Sequence, residues 1–145
     1  MTTVFDVKPE LMIKTMKEDL KNISEIKPTE WAKFVKTRAT ANKPPEQDDF
    51  WYIRTASMLR KMYIWGVPVG TQKLKVKYGG KKDTGDKPDR FGKGGGSIIR
   101  KILQQLESAG FIKKVEVSGK KGRMLTKKGK SYVDKIAAKI AKEGQ

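Results

Sequence analysis

The stretch from Phe50 to Trp65 constrains the fold of this chain more than any other part of the sequence. Its apolar side chains fall on nearly every face of a helix, and they are Phe50, Trp51, Tyr52, Ile53, Ala56, Leu59, Met62, Tyr63 and Ile64. A helix that is apolar all round has to be covered by other elements. Asp48 supplies an N-cap, and Gly66 and Pro68 end the helix. The sequence therefore predicts a bundle built around a central helix.

Two shorter helices are predicted before this segment. Asp6 can cap the first helix, and Pro28 precedes the second. The apolar stripe of the first helix consists of Leu11, Met12, Met16 and Leu20, and that of the second of Trp31, Phe34 and Val35. Since the pair Pro44-Pro45 ends this unit, residues 1–47 are predicted to form a helical hairpin that packs on the rest of the chain.

The C-terminal part combines helices with one hairpin. Ser97 begins an amphipathic helix that Gly110 ends, and its inward residues are Ile98, Ile99, Ile102, Leu103, Leu106 and Ala109. Two alternating segments, 111–117 and 123–125, read as strands joined by a turn over 118–122, and Thr126 caps a last helix. This order predicts a mainly α fold with a small β-hairpin. One domain spans 1–145, with a winged-helix-like core over 48–145 and a wing over 111–125.

The segment 69–78 carries a different pattern. Apolar and basic side chains alternate at its end, in the order Lys73, Leu74, Lys75, Val76, Lys77 and Tyr78. An alternation with a period of two is typical of a strand. The pattern alone therefore predicts a strand here.

Residues 79–97 are predicted to form a basic loop that ends in Gly92-Lys93-Gly94-Gly95-Gly96-Ser97. A Walker A motif requires glycine where Lys87 stands, and the dinucleotide motif requires glycine where Ser97 stands. The glycines nevertheless place backbone amides at a helix start, where the helix dipole favours an anion, and Arg90 and Lys93 add charge. The two interpretations are a contact to a nucleic-acid phosphate and a flexible, glycine-rich helix entry.

The charge of the chain points to a polyanionic partner. It carries 33 lysines and arginines against 16 acidic residues, a formal net charge of +17. Residues 1–48 contribute almost none of this excess, whereas 49–92 hold ten basic and four acidic residues and 93–145 hold fourteen and four. Because basic and apolar residues interleave there, the positive surface belongs to the folded body. Such an asymmetry favours a nucleic-acid partner over an ordinary solvated face.

The composition also excludes several classes of function. The sequence contains no cysteine and no histidine, so disulfides, Cys-based zinc sites, thiol nucleophiles and histidine triads are impossible. Asp83, Asp86 and Asp89 share the loop at irregular spacing, which is more typical of solvated turns than of a cation site. We expect neither an active site nor a cofactor. No apolar run is long enough to span a membrane, so we expect a cytoplasmic protein without membrane contact.

Basic residues on several predicted elements are candidates for RNA contacts. On the central helix Arg54, Ser57 and Lys61 share a stripe. This stripe is either the solvent-exposed face of the helix or a rigid surface that binds phosphates. Tyr78 and Phe91 lie within the basic region and either stack on bases or pack. The candidates are Arg54, Arg60, Lys61, Lys73, Lys75, Lys77, Lys81, Lys82, Arg90, Lys93, Arg100, Lys101, Lys120, Lys121 and Arg123.

Several collinear motifs resemble one protein family. They are Asp49-Phe50-Trp51-Tyr52-Ile53-Arg54-Thr55-Ala56-Ser57, Tyr78-Gly79-Gly80, the stretch from Ser97 through Arg100-Lys101 to Leu106-Glu107, and Leu125-Thr126-x-x-Gly129. Together they are similar to small-subunit ribosomal protein nineteen of the archaeal and eukaryotic type. The resemblance covers essentially the whole chain, and the glycine-rich loop and compact C-terminus look more like an archaeal member.

The resemblance implies a fold and a function. It implies a helical protein with a winged-helix-like core, bound to ribosomal RNA beside other proteins in the head of the small subunit. Eukaryotic relatives are needed for the maturation of precursor RNA. Arg54, Arg60, Arg100 and Lys101 fall on basic surfaces that the family uses. The resemblance also implies a short helix over 69–78, and we prefer this to the strand.

The leading hypothesis is thus a structural ribosomal protein, monomeric when free, that binds small-subunit ribosomal RNA and assists subunit assembly. The alternative is a winged-helix regulator that binds DNA. A regulator would concentrate its charge on the recognition helix and the wing, whereas here basic residues spread over helices, loop and wing.

Overall fold

The computed structural model describes residues 2–144, and its helices surround the predicted central one. The α-helices in this part of the chain are α1 (Pro9–Leu20), α2 (Phe50–Trp65), α3 (Thr71–Lys77), α4 (Gly96–Ser108) and α5 (Lys127–Glu143). Strands β1 (Gly80–Lys82) and β2 (Arg90–Gly92) form one antiparallel hairpin, and β3 (Ile112–Val117) and β4 (Lys120–Leu125) form another. The fold is mainly α with a small hairpin and resembles a winged helix, as predicted.

Helix α2 lies at the centre because α1, α5 and β4 all pack against it. Trp51, Met58 and Leu59 on this helix are completely buried. A polar contact also links this helix to a neighbour: the Trp51 indole nitrogen donates to the Gln105 side-chain oxygen on α4 over 2.9 Å. The Gln105 amide nitrogen in turn donates to the Lys27 carbonyl over 2.7 Å. One glutamine therefore joins α2, α4 and the loop after α1.

The N-terminal region differs from its prediction in two details. Helix α1 begins at Pro9 with Lys8 as its N-cap, whereas Asp6 ends a preceding 3₁₀ turn, where its carboxylate accepts from the Thr3 amide over 2.9 Å. The predicted second helix is only a 3₁₀ turn, Glu30–Lys33. The physical reason is the small apolar area this turn buries, since Phe34 is 80% exposed.

The segment 69–78 is a helix, so the strand predicted from its alternating pattern is wrong and the helix implied by the resemblance is confirmed. Leu74 is completely buried, whereas Val76 is exposed, so the alternation does not define one buried face. Only Val69, just before α3, forms strand contacts. Its amide donates to the Arg123 carbonyl over 2.9 Å, and the Arg123 amide donates back over 3.0 Å. This pairing adds a third chain segment to the wing sheet.

The second half of the core follows the predicted order closely. All six predicted inward residues of α4 are buried. The wing turn is shorter than predicted, because Ser118 and Gly119 alone form it with φ angles of 52° and 78°. Such a two-residue turn lets β4 begin at Lys120. The Thr126 cap is confirmed, since its hydroxyl accepts from the Gly129 amide over 3.1 Å.

The predicted loop over 79–97 contains the β1–β2 hairpin. Lys81 pairs with Phe91, and Lys82 pairs with Arg90. This hairpin stands between α3 and α4 and carries a turn of exposed residues at its tip. No helix within residues 2–144 is long and apolar enough to cross a membrane.

Candidate nucleic-acid interface

Tyr78, at the C-terminal end of α3, organises the polar stripe of α2. The Arg54 guanidinium lies 4.1 Å from the centroid of its ring, and the Lys61 ammonium lies 4.3 Å from it. The Tyr78 hydroxyl and the Lys61 ammonium both donate to the Ser57 hydroxyl oxygen, over 2.7 and 3.0 Å. Since the ring contacts two cations of α2 and its hydroxyl bonds to Ser57, Tyr78 packs against α2.

The cations on this face crowd one another. Burial lowers the pKa of Lys61, and the charges of Arg54, Arg60 and Lys77 lower it further. We call these four residues the α2 cation cluster. Burial also lowers the pKa of Arg54, and Arg38 adds to the shift, opposed by Tyr78. Among the ion pairs of the described residues, none includes a member of this cluster.

Unpaired cations at a half-buried position are costly, because they lose hydration without gaining a counter-charge. In the part of the chain that the structure describes, the Arg60 Nε atom is buried and makes no hydrogen bond. Elsewhere the carboxylates do pair: Asp49 accepts from the Lys17 ammonium over 2.9 Å. The α2 cation cluster therefore has the electrostatic character of a site for an external anion.

Trp65 extends this surface from α2 to α3. The Lys73 ammonium lies 4.4 Å from the centroid of its indole ring, and the Lys77 ammonium lies 5.8 Å from it. An aromatic ring positions such side chains while leaving their charge accessible. Sequence reasoning placed Lys73 and Lys77 among the candidates but missed Trp65, which it treated only as the end of the helix.

The glycine run before α4 forms backbone hydrogen bonds with two other parts of the chain. The Gly94 amide donates to the Lys75 carbonyl over 2.8 Å, and the Gly95 amide donates to the Thr37 carbonyl over 2.7 Å. These two amides are therefore not free for a phosphate, which corrects part of the anion-site interpretation. The glycines do form the entry to α4, which begins at Gly96 with Gly95 as its N-cap, and side chains at Gly94 or Gly95 would approach backbone oxygens to 3.1 Å.

Basic side chains surround this run and the β1–β2 hairpin. Lys81, Lys82 and Arg90 are exposed on the hairpin, and the Lys93 ammonium donates to the Gln72 side-chain oxygen over 3.3 Å. Lys75 is half-buried on α3. These residues give the positive surface a second part, next to the start of α4.

The remaining candidates lie on α4 and the wing. Arg100 and Lys101 are exposed on α4, and Lys120 and Lys121 are exposed at the wing tip. Arg123 differs from them, because its guanidinium is half-buried and lies 3.5 Å from the Glu107 carboxylate. The structure thus brings Arg54, Arg60, Lys61 and Lys77 into one cluster and leaves the other candidates spread around it.

One arginine and one row of lysines were not predicted from the sequence. Arg38 lies in the connection between α1 and α2, where no periodic pattern draws attention to it, yet its charge reaches Arg54. Helix α5 carries an exposed row of lysines, which are Lys128, Lys135, Lys139 and Lys142. A helical projection of the last segment would have found this row.

The acidic residues form no metal centre in the described chain. No group of three or more carboxylates that could hold a metal ion occurs within residues 2–144. Asp83 accepts a hydrogen bond from the Gly85 amide over 2.9 Å and so stabilises the turn of the β1–β2 hairpin. This is the role predicted for the loop carboxylates.

Comparisons with known proteins agree with the resemblance drawn from the motifs. The chain is 40% identical to the small ribosomal subunit protein eS19 of Aeropyrum pernix and 42% identical to that of Haloarcula marismortui. These alignments cover 99% of this chain and 92% and 94% of the relatives. The rice protein of the same name, from Oryza sativa subsp. japonica, is 38% identical over 95% of the chain and 92% of its own length. Residues 3–143 match the family model described as ribosomal protein S19e, and the chain belongs to that family.

Proposed function

We propose that this protein binds small-subunit ribosomal RNA through the α2 cation cluster and the basic surface around it. Its family makes it a structural constituent of the small ribosomal subunit and not an enzyme. The observation that carries the RNA proposal is the cluster itself. Arg54, Arg60 and Lys61 are half-buried, Lys77 beside them is exposed, and none of the four cations is ion-paired within residues 2–144.

A phosphate backbone supplies what this face lacks. Its oxygens accept from guanidinium and ammonium groups, and each contact releases counterions, which makes binding dependent on salt. Lys73 and Lys77 on Trp65, and Lys81, Lys82 and Arg90 on the hairpin, extend the same surface. We therefore propose one continuous interface from α2 across α3 to the β1–β2 hairpin, with Arg100 and Lys101 at its edge.

The finer parts of the proposal rest on the resemblance described above. We propose that the protein lies in the head of the subunit beside neighbouring ribosomal proteins, that it is monomeric when free, and that it assists subunit assembly or precursor RNA maturation. The DNA-binding alternative is less favoured, because residues 78–95 separate α3 from α4. In a DNA-binding helix-turn-helix a turn of about three or four residues occupies this place.

The test is sedimentation of the tagged protein in cell lysate over sucrose gradients of increasing salt. The protein should migrate with the small subunit, and Arg54→Gln combined with Lys61→Gln should be released at a lower salt concentration. The reason is that each lost phosphate contact reduces the salt slope of log K by about 0.9 on a duplex.

The matched control is Lys8→Gln combined with Lys14→Gln, which removes the same charge from the exposed N-cap of α1 and from an exposed position on that helix. It should behave like the unsubstituted protein. Circular dichroism would verify that both double variants are folded. If the two double variants are released from the small subunit at the same salt concentration, the proposal of an interface on α2 is wrong. If even the unsubstituted protein stays at the top of a low-salt gradient, the RNA proposal fails altogether.

A further inference from the structure

We propose that Arg38 and Arg54 together bind a single backbone phosphate of the RNA, at the segment that joins α3 to β1. This inference rests on the function proposed above and names a site within it. Arg38 is not among the candidate RNA contacts that the sequence predicts. No carboxylate pairs with it among the described residues.

Backbone contacts fix where Arg38 lies. It forms an antiparallel bridge with Gly94, and the neighbouring Thr37 carbonyl accepts from the Gly95 amide over 2.7 Å. The connection before α2 is thereby attached to the glycine run. Its position is set by the fold and does not depend on the long, flexible side chain alone.

The guanidinium of Arg38 lies directly against Gly80. A Cβ atom at Gly80 would lie 2.8 Å from Nε and 2.9 Å from Cζ of Arg38. Glycine is therefore required here so that the guanidinium can approach the backbone closely. Two residues earlier, the Arg54 guanidinium lies over the ring of Tyr78. The two guanidinium groups thus flank the same short segment, 78–80, from α2 and from the preceding connection.

Neither arginine has its positive charge compensated. The Nε atom of Arg38 is buried and makes no hydrogen bond among the described residues. The two charges are close enough that Arg38 contributes to the lowered pKa of Arg54, after burial. Bringing two guanidinium groups together in a poorly hydrated place is unfavourable unless an anion joins them. Guanidinium groups match the tetrahedral oxygens of phosphate, which can accept from both at once.

The chain offers a way to displace Arg38 without changing any charge. In Gly80→Ala the three atoms nearest to the new methyl group would all belong to the far end of the Arg38 side chain, which can rotate away while the backbone stays in place. Gly70→Ala is the matched control, because nothing lies within 4 Å of a Cβ there. For the charge itself, Arg38→Gln is compared with Lys14→Gln, which removes one exposed charge from α1.

The experiment measures the affinity of the full-length protein for in vitro transcribed small-subunit ribosomal RNA of the source organism, over a series of KCl concentrations. Arg38→Gln should weaken binding about tenfold at moderate salt. It should also reduce the salt slope by about 0.7 to 0.9. Arg38→Lys should keep most of the slope but lose affinity, because an ammonium lacks the planar fork. Gly80→Ala should lose affinity with its charge intact.

Three results would separate the possibilities. If Arg38→Gln and Gly80→Ala bind like their controls while Arg54→Gln binds weakly, Arg38 serves the fold and the phosphate site is wrong. If Arg54→Gln also binds like the unsubstituted protein, the interface of the proposed function fails with it. If Arg38→Gln has a lower melting temperature, then Arg38→Lys and Gly80→Ala decide, and normal binding by both overturns the site.

Discussion

At the scale of single residues, Lys61 carries the clearest electrostatic consequence. Its ammonium lies over Tyr78 and within reach of Arg54, Arg60 and Lys77. Burial and these like charges lower its pKa in the free protein below the ordinary 10.5. Between the lowered pKa and the ordinary one, the folded protein binds fewer protons than the unfolded chain. Lys61 therefore increases the free energy of unfolding as pH rises from the lowered pKa to the ordinary one.

Binding of RNA should reverse the shift. A phosphate near Lys61 favours the ammonium and raises its pKa, so complex formation takes up protons at pH values around the lowered pKa, and affinity falls as pH increases through them. Calorimetric titrations in two buffers of different ionisation enthalpy measure this uptake. Lys61→Arg should abolish most of it, because guanidinium does not titrate there. Equal proton uptake by the two proteins would contradict the assignment.

Single residues were also where sequence reasoning reached its limit. Arg54 and Lys61 were identifiable because they interrupt an otherwise apolar helix, and a helical spacing fixes which residues share a face. No helical spacing identifies the neighbours of Arg38, because it lies in an irregular connection. Its neighbours Gly80 and Gly94 are set by tertiary contacts alone. Trp65 was missed for a related reason, since its partners Lys73 and Lys77 lie on another helix.

At the scale of elements, the junction of the wing with α5 depends on close approach. Gly129 is buried in the first turn of α5, where a Cβ atom would lie 2.3 Å from the Phe111 carbonyl oxygen. The Thr126 hydroxyl donates to the Gly110 carbonyl over 2.8 Å at the same place. The start of α5 and the start of the wing are therefore packed backbone to backbone.

We expect Gly129→Ala to lower the unfolding free energy by about 2 kcal/mol or more, because the backbone oxygen of Phe111 cannot move aside as a side chain would. Denaturant unfolding followed by circular dichroism measures the change. Gly70→Ala, with open space around it, should stay within about 1 kcal/mol of the unsubstituted protein. Equal stabilities of the two variants would show that the wing can shift away from α5 at little cost.

Elements were predictable where a period, a cap and a terminator agreed. Helix α4 combines an apolar stripe with Gly110 at its end, and the Thr126 cap specifies the start of α5. The strand predicted from the alternating pattern was wrong, because the helix over 71–77 has only seven residues, too few to distinguish a period of two from one of 3.6. The β1–β2 hairpin was not foreseen, because its two strands have only three residues each and hold little apolar area.

At the scale of the whole molecule, a net charge of +17 on 145 residues works against the compact state. Like charges repel more strongly in the folded protein, where they are closer together, and salt screens this repulsion. The α2 cation cluster concentrates the effect in one place. The surface that we propose for RNA binding is thus also a place where like charges repel one another within the fold.

We therefore expect the melting temperature of the free protein to rise as salt is added. Arg54→Gln combined with Lys61→Gln should melt higher than the unsubstituted protein in low salt, by several degrees for each kcal/mol of relieved repulsion, and should respond less to added salt. Differential scanning calorimetry tests this. A double variant that melts lower at every salt concentration would show that the packing of Arg54 and Lys61 on Tyr78 outweighs their repulsion.

The unpaired cations around Tyr78 also bear on the fate of surplus copies in the cell. A chain held by a polyanion loses its internal repulsion and gains the free energy of binding, so it unfolds less often than a copy that has found no RNA. Proteases that act on transiently unfolded chains would then remove unassembled copies first. A charge arrangement that serves recognition would in this way help to match the amount of the protein to the number of subunits being made.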